Sequence, residues 1–247
     1  MDIFYQTNEG VEVQSHEPTD GVEKYGQMSE LGELQIEHNP RGNIWHLAII
    51  GHIEGHVVMP PGHKTTKYEH VIPMLLHAAQ SCEVDGLLVV LNTVGGDVEA
   101  GLAIAELISH FPKPTVSLVL GGGHSIGVPL GVCADYSYIS SSAAMTIHPV
   151  RMNGTMVGAQ QTYDYFNKMQ DRVLDFVVSH SSIQRERLKE LMMDTNKLAM
   201  DMGTFLIGEE AVAEGLIDEV GGLCHAIERL YTMIGRAENS ENLSEDS

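Results

Sequence analysis

The sequence predicts an α/β fold built on a mostly parallel sheet, and three observations carry that expectation. Two continuous apolar runs, "GLLVVLN" (86–92) and "TVSLVLG" (115–121), read as strands buried on both faces. Between them "DVEAGLAIAELISHF" (97–111) has helical spacing, with Asp97 as its N-cap. Strand, helix and strand in that order imply a right-handed crossover.

The remaining elements follow from the same rules. "IWHLAIIGHIE" (44–54) reads as a strand, rich in Ile and Leu and ended by glycine. "GHVVMPPGHKTTKYEH" (55–70) is rich in Pro, Gly, His and Lys and reads as an exposed loop. "VIPMLLHAAQSC" (71–82) has helical spacing, and "SIGVPLGVCA" (125–134) is compatible with a short helix. "YSYIS" (137–141) and "AMTIH" (144–148) are two further strands. A long helix is expected over about 157–180, another over 182–193, and shorter ones over 209–215 and 223–235.

The domain expected from this pattern covers 41–236. An acidic N-terminal segment (1–40), poor in periodic apolar positions and expected to be at least partly disordered, precedes it, and an acidic tail (237–247), expected to be disordered, follows. The formal charge of −20 is concentrated in these ends: residues 1–40 carry nine carboxylates against the single Lys24. Such a balance excludes a nucleic-acid partner, which needs clustered Lys and Arg, and excludes adhesion to an anionic membrane surface. The opening "MDIFYQTNEG" has neither a basic nor an apolar stretch, so no signal peptide is expected. No apolar run approaches the ~20 residues of a membrane span. Cys82, Cys133 and Cys224 lack metal or redox spacing and are expected as buried thiols of a cytoplasmic protein.

The 13 histidines invite a metal hypothesis, and His46, His52, His56, His63, His70 and His77 lie close together in sequence. "HIEGH" (52–56) misplaces the glutamate of H-E-x-x-H and reads as a strand end rather than a helix, so scattered loop histidines are expected. Neither a metal nor a cofactor is expected. No G-x-x-x-x-G-K-[ST] occurs, and both glycine-rich segments lack lysine.

Those segments, "NTVGGDVEAG" (92–101) and "GGGHSIG" (121–127), each end a strand and open a helix. In an open α/β sheet ligands bind at such places, and successive parallel strands usually neighbour each other. Two adjacent glycine loops of this kind form a candidate oxyanion hole, with Ser125 beside it as a nucleophile. A serine needs a base, and His148 ends the strand in "TIHPV" on the same sheet edge, where Pro149 stops it.

With these residues in this order, the chain resembles the ClpP family, the proteolytic subunits of the Clp protease. "LNTVGGDVEAGLAI" is similar to that family's glycine-pair segment. "LGGGHSIGVPLGVCADYSYISSSAAMTIHP" is similar to its serine-to-histidine segment, and "FLIGEEAVAEGLIDEV" (205–220) to its closing segment. The resemblance covers about 46–222 and is nearest to the family's translocation-enhancing branch, which implies a link to protein secretion. It implies a ClpP/crotonase-like fold of repeated β-β-α units, with the helix at 157–180 as a handle by which rings stack.

Function and assembly follow by the same resemblance. Ser125 is implied as nucleophile and His148 as general base, with the backbone N–H groups of Gly96 and Ile126 as oxyanion donors. The implied reaction is hydrolysis of peptide bonds in peptides or unfolded protein segments, by a homo-oligomeric ring, in the family's case stacked heptamers. The family's acid lies two residues before the aromatic of the closing segment. Here that aromatic is Phe205 and the position is Gly203. Asp201 is the expected orienting acid, with Asp194 as its alternative. Val94 stands for a family proline, and His124 and Ile126 flank the serine where small residues or Met are usual.

Three other readings stay open. "GHSIG" (123–127) satisfies the G-x-S-x-G nucleophile elbow of α/β-hydrolases, with Asp201 and then His225 in the required order. A crotonase-type acyl enzyme would use the same two N–H groups without Ser125. A ClpP-like ring that lost efficient turnover would serve as an adaptor or scaffold, a reading to which Gly203 points. The methionines of "MMDTNKLAMDM" (192–202) are read as core or interface filler, with an apolar peptide groove as the alternative.

Overall fold

The computed structural model describes residues 39–151, 158–195 and 202–245. Strands β1 (Ile44–Glu54) and β2 (Thr65–Lys67) lead into helix α1 (Tyr68–Gln80). Then come β3 (Gly86–Gly96), α2 (Val98–Ser109), β4 (Thr115–Gly123), α3 (Gly127–Val132), β5 (Tyr136–Ile139) and β6 (Ala144–Ile147). The last part comprises α4 (Ala159–Ser179), α5 (Arg185–Met193), β7 (Thr204–Ile207), α6 (Glu209–Ala213), β8 (Glu219–Val220) and α7 (Leu223–Glu245).

The sheet runs β2-β1-β3-β4-β5-β8, and every pairing along it is parallel. A small offshoot leaves β4: β6 pairs with it in parallel at Gly122 and Ala144, and β7 pairs antiparallel with β6. The β-β-α unit is present as β1-β2-α1 and as β5-β6-α4.

Side chains alternate across each strand, so the unbroken apolar runs bury both faces. Leu47, Ile49, Leu87, Val89 and Leu91 point into the larger core with Leu75 of α1, Ile104 and Ile108 of α2 and Leu130 of α3. The alternate residues Ile44, Leu88, Val116 and Leu118 meet Ala226, Leu230 and Ile234 of α7 on the other face. Burying one such Leu or Ile completely is worth roughly 1.5–3 kcal/mol.

Several elements differ from expectation. The loop expected at 55–70 contains β2, whose Thr65, Thr66 and Lys67 pair with His52, Ile53 and Glu54. Three residues are too few to show a period. Helix α1 begins a turn earlier than the pattern, at Tyr68, and so carries Pro73 inside it. Strands β7 and β8 were not expected because each spans only a short stretch beside α6. Helix α7 reaches Glu245, past 235 where its apolar pattern ends. Only Cys133 is a buried thiol, its ionisation pushed up by burial, whereas Cys82 and Cys224 are exposed. The "HIEGH" histidines lie at and beyond the end of β1.

Two ties hold the helices nearest the C-terminal strand ends. Asp97 caps α2, its carboxylate accepting the Ala100 N–H at 2.9 Å. Arg172 of α4 grips Glu99 in the first turn of α2 through two hydrogen bonds of 2.7 and 3.0 Å. The same guanidinium holds the Glu99 carboxyl below the usual carboxylate range. Asp97→Ala removes the cap while leaving the bond from its own N–H to Ile53 O intact. The expected loss is about 1 kcal/mol, read as a lower midpoint in urea or thermal unfolding.

Candidate functional site

The two glycine segments are not loops. β3 continues as a strand through Gly95 and Gly96, and β4 through Gly123. They are neighbours as expected: β3 and β4 pair from Leu87 opposite Thr115 to Thr93 opposite Gly123, with a register shift near the end. The glycines let these strand ends and the following turn close on one another. A Cβ on Gly95 would lie 2.6 Å from Ser125 Cβ and 2.7 Å from His124 O, and Gly95 has φ +90°, which side chains resist. A Cβ on Gly96 would lie 2.2 Å from Ile53 O on β1, and one on Gly101 would lie 2.4 Å from Ile126.

Ser125 sits in the turn between β4 and α3. Among the described residues it is the only non-glycine with positive φ, at 58°. Such a backbone costs on the order of 1 kcal/mol or more and persists only where its surroundings impose it. The turn's hydrogen bonds are specific. Ser125 N–H donates to Thr146 O at 2.9 Å, Gly127 N–H to His124 O at 2.8 Å, and Val128 N–H to Ser125 O at 2.9 Å. Ile126 is buried, and its N–H has no hydrogen-bond partner among the described residues, as expected of an amide at a helix start.

His148 follows β6, with its Nδ1 2.8 Å from Pro149 O. A carbonyl only accepts, so Nδ1 is the donor in this contact, and in the neutral imidazole the lone pair lies on Nε2. Gly203, just before β7, packs against the back of this histidine. Its φ is +133°, and a Cβ there would lie 2.3 Å from Ile147 O and 2.9 Å from His148 Cβ. A side chain therefore does not fit at the position where the resemblance expects an acid. Gly203 N–H donates to Asp194 O at 2.7 Å, which ties this segment to the end of α5. Asp201 lies outside the described residues.

Gly96, Ser125, Ile126 and His148 all line one cavity of about 120 Å³. Its other walls are mainly apolar and come from Val98, Val128, Ile147, Val173 and Val177, with Leu188 and Met192 of α5. Met192 is buried and also faces this cavity, while Met193 is exposed. His225, the base of the hydrolase alternative, lies elsewhere, in α7, with its Nδ1 accepting from Gly222 N–H and its ring near Tyr138.

Sequence reasoning missed the Pro149 carbonyl as partner of His148, a main-chain contact that no residue type announces. It also missed what His124 does. That ring lies 2.8 Å from Thr146 Oγ1 through Nδ1 and stacks on Phe205, and burial holds its pKa below the ordinary histidine value.

With this geometry in view, the chain can be set beside known proteins. The model of the Clp protease family matches residues 46–223. The chain is 52% identical over 221 residues to the translocation-enhancing protein TepA of Halalkalibacterium halodurans, covering 90% of this chain and 85% of that protein. It is 26% identical over 140 residues to the ATP-dependent Clp protease proteolytic subunit 1 of Chlamydia muridarum, covering 54% of this chain and 69% of that one. The corresponding subunit of Chlamydia trachomatis gives the same identity over the same length. The chain belongs to the Clp protease family.

Proposed function

We propose that this protein is a serine endopeptidase that hydrolyses peptide bonds in peptides or unfolded protein segments, with Ser125 as nucleophile and His148 as general base. The observation that carries the reading is the meeting of Ser125, Ile126, Gly96 and His148 in one apolar-walled cavity, with the serine held at a strained backbone angle. His148 Nε2 takes the Ser125 proton as Oγ attacks the substrate carbonyl, and then returns it to the leaving amine. Water, activated by the same nitrogen, releases the acyl group.

The oxyanion donors follow from the hydrogen bonds. Ser125 N–H is spent on Thr146 O, so the free amide is that of Ile126. Asp97 N–H donates to Ile53 O, and amides alternate along a strand. The Gly96 N–H thus faces away from β1, toward Ser125. Together the two N–H groups meet the charge that develops on the substrate oxygen. The apolar cavity beside them accepts an apolar substrate side chain.

Pro149 O supplies the tautomer-fixing contact that an acid would otherwise give. Asp201 remains the acid to test, through Asp201→Asn. By likeness to the TepA relative, the substrates belong to protein translocation and secretion, and by family likeness the active form is a cytoplasmic homo-oligomeric ring, with α4 as the handle between rings. A second reading, a ring that acts as adaptor with little turnover, is favoured by Gly203 alone, since no side chain fits there.

A fluorophosphonate probe separates the two readings, because it modifies only an activated serine. The intact ring is expected to take up one adduct per chain, mapped to Ser125 and abolished by Ser125→Ala. His148→Ala slows labelling by about 10²–10⁴-fold, the usual worth of a general base. An assembled ring that takes no adduct, and that leaves an unstructured protein substrate uncut, supports the adaptor reading. Restoring the family's acid by Gly203→Asp does not speed labelling. It lowers stability by about 2 kcal/mol or more in chemical unfolding, because φ and the Ile147 carbonyl both oppose a side chain.

A further inference from the structure

His124 takes no part in the chemistry proposed above, yet it is held from several sides next to Ser125. Its Nδ1 is 2.8 Å from Thr146 Oγ1. Its ring is stacked on Phe205, with centroids 6.0 Å apart and planes 21° apart. Its own N–H donates to Thr93 O at 3.2 Å. A Cβ on Gly122 would lie 2.7 Å from the ring, so the β4 backbone closes it from another side. The ring is more tightly enclosed than a surface histidine needs to be.

Thr146 is the shared element. Its hydroxyl meets His124, and its main-chain carbonyl accepts the Ser125 N–H at 2.9 Å. One residue of β6 thus grips two consecutive residues of the turn, one by its side chain and one by its main chain. The second of these is the residue whose φ of 58° must be imposed from outside. Phe205, which covers the His124 ring, is the direct partner of Thr146 in the β6–β7 pairing.

From this geometry we infer that His124 is a positioning residue: bonded to Thr146 and covered by Phe205, it fixes the Ser125 backbone in the conformation that presents Oγ to the cavity. The inference rests on Ser125 being the nucleophile. The simpler role of the ring is to fill space between β4, β6 and β7, which an apolar side chain of similar size does equally well. The two roles differ in the hydrogen bond to Thr146. Burial favours the neutral imidazole, so the contact with the hydroxyl brings no charge beside the oxyanion position.

The test uses the full-length assembly and two readouts: the saturating rate and half-saturation of fluorophosphonate labelling, and hydrogen exchange of the Ser125 amide. His124→Ala and Thr146→Val are expected to lower the saturating rate about tenfold or more, with half-saturation changed less than about twofold. Both are expected to speed Ser125 amide exchange by a similar factor. His124→Asn, which keeps a polar atom near Nδ1, and Thr146→Ser, which keeps the hydroxyl, are expected to restore both readouts to within about threefold.

Thr146→Val exchanges a hydroxyl for a methyl and serves where His124→Ala does not fold. Parent-like labelling and exchange in Thr146→Val overturn the inference, as does a Thr146→Ser variant as slow as Thr146→Val. A parent protein that takes no adduct overturns the peptidase reading instead. The exchange arm then decides alone: faster Ser125 exchange in Thr146→Val sustains the backbone hold, and unchanged exchange leaves His124 as filler.

Discussion

The closeness with which the end of β3 passes the Ser125 turn is the constraint on which the rest of the site depends. Thr93, almost fully buried, is the pin. Its Oγ1 donates to Gly51 O on β1 at 2.6 Å and accepts the Gly95 N–H at 3.0 Å. Its carbonyl takes the His124 N–H. One residue, by side chain and carbonyl, thereby ties β1, β3 and the turn together. The two residues after Val94 must then be glycine, because the turn and β1 occupy the space of their side chains. Interiors pack too densely to absorb even a methyl at such distances.

If β3 holds the Ser125 turn, the antiparallel β6–β7 pair holds His148. Thr146 pairs with Phe205 and Ile147 with Thr204, so Gly203 arrives behind His148. Thr204 Oγ1 donates to Leu191 O at 2.7 Å, and Gly203 N–H donates to Asp194 O. These bonds fasten the β6–β7 pair to α5, which in turn contributes Leu188 and Met192 to the cavity wall. Serine, base and apolar wall therefore share one register, and a slip of one residue in it would turn Phe205 away from His124 and displace Gly203.

The sequence showed most of this architecture wherever a period or a punctuation mark was strong. The buried strands β3 and β4, the Asp97 cap and the order of Ser125 before His148 were legible because continuous apolar runs, an N-cap residue and a proline each have one dominant physical meaning. The strands β2 and β8 were not, since two or three residues carry no period, and β7 was missed although it is as long as β5 and β6. The glycines were misread as loops. Local chemistry says that glycine tolerates a turn, but only the tertiary contact of Gly95 with Ser125 says that a strand needs it there. The partner of His148 was hidden for a similar reason: every residue offers a main-chain carbonyl, so nothing in the side-chain sequence singles out that of Pro149.

That carbonyl bears on how much an acid matters here. In Ser-His-Asp enzymes, replacing Asp by Asn costs about 10⁴-fold chiefly because the histidine adopts the wrong tautomer. A backbone carbonyl cannot donate, so it favours the same tautomer as a carboxylate does, through a weaker, uncharged hydrogen bond. What it does not supply is the negative charge that stabilises imidazolium. In an apolar cavity that omission has a compensating side. On the proposed reading, transfer of the serine proton to His148 would create a neutral pair, oxyanion and imidazolium, where a buried carboxylate would leave a net charge to be solvated. Attraction within such a pair grows as the local dielectric falls. The departure at Gly203 thus removes a side chain from behind His148 while leaving the contact of its Nδ1 with Pro149 O in place.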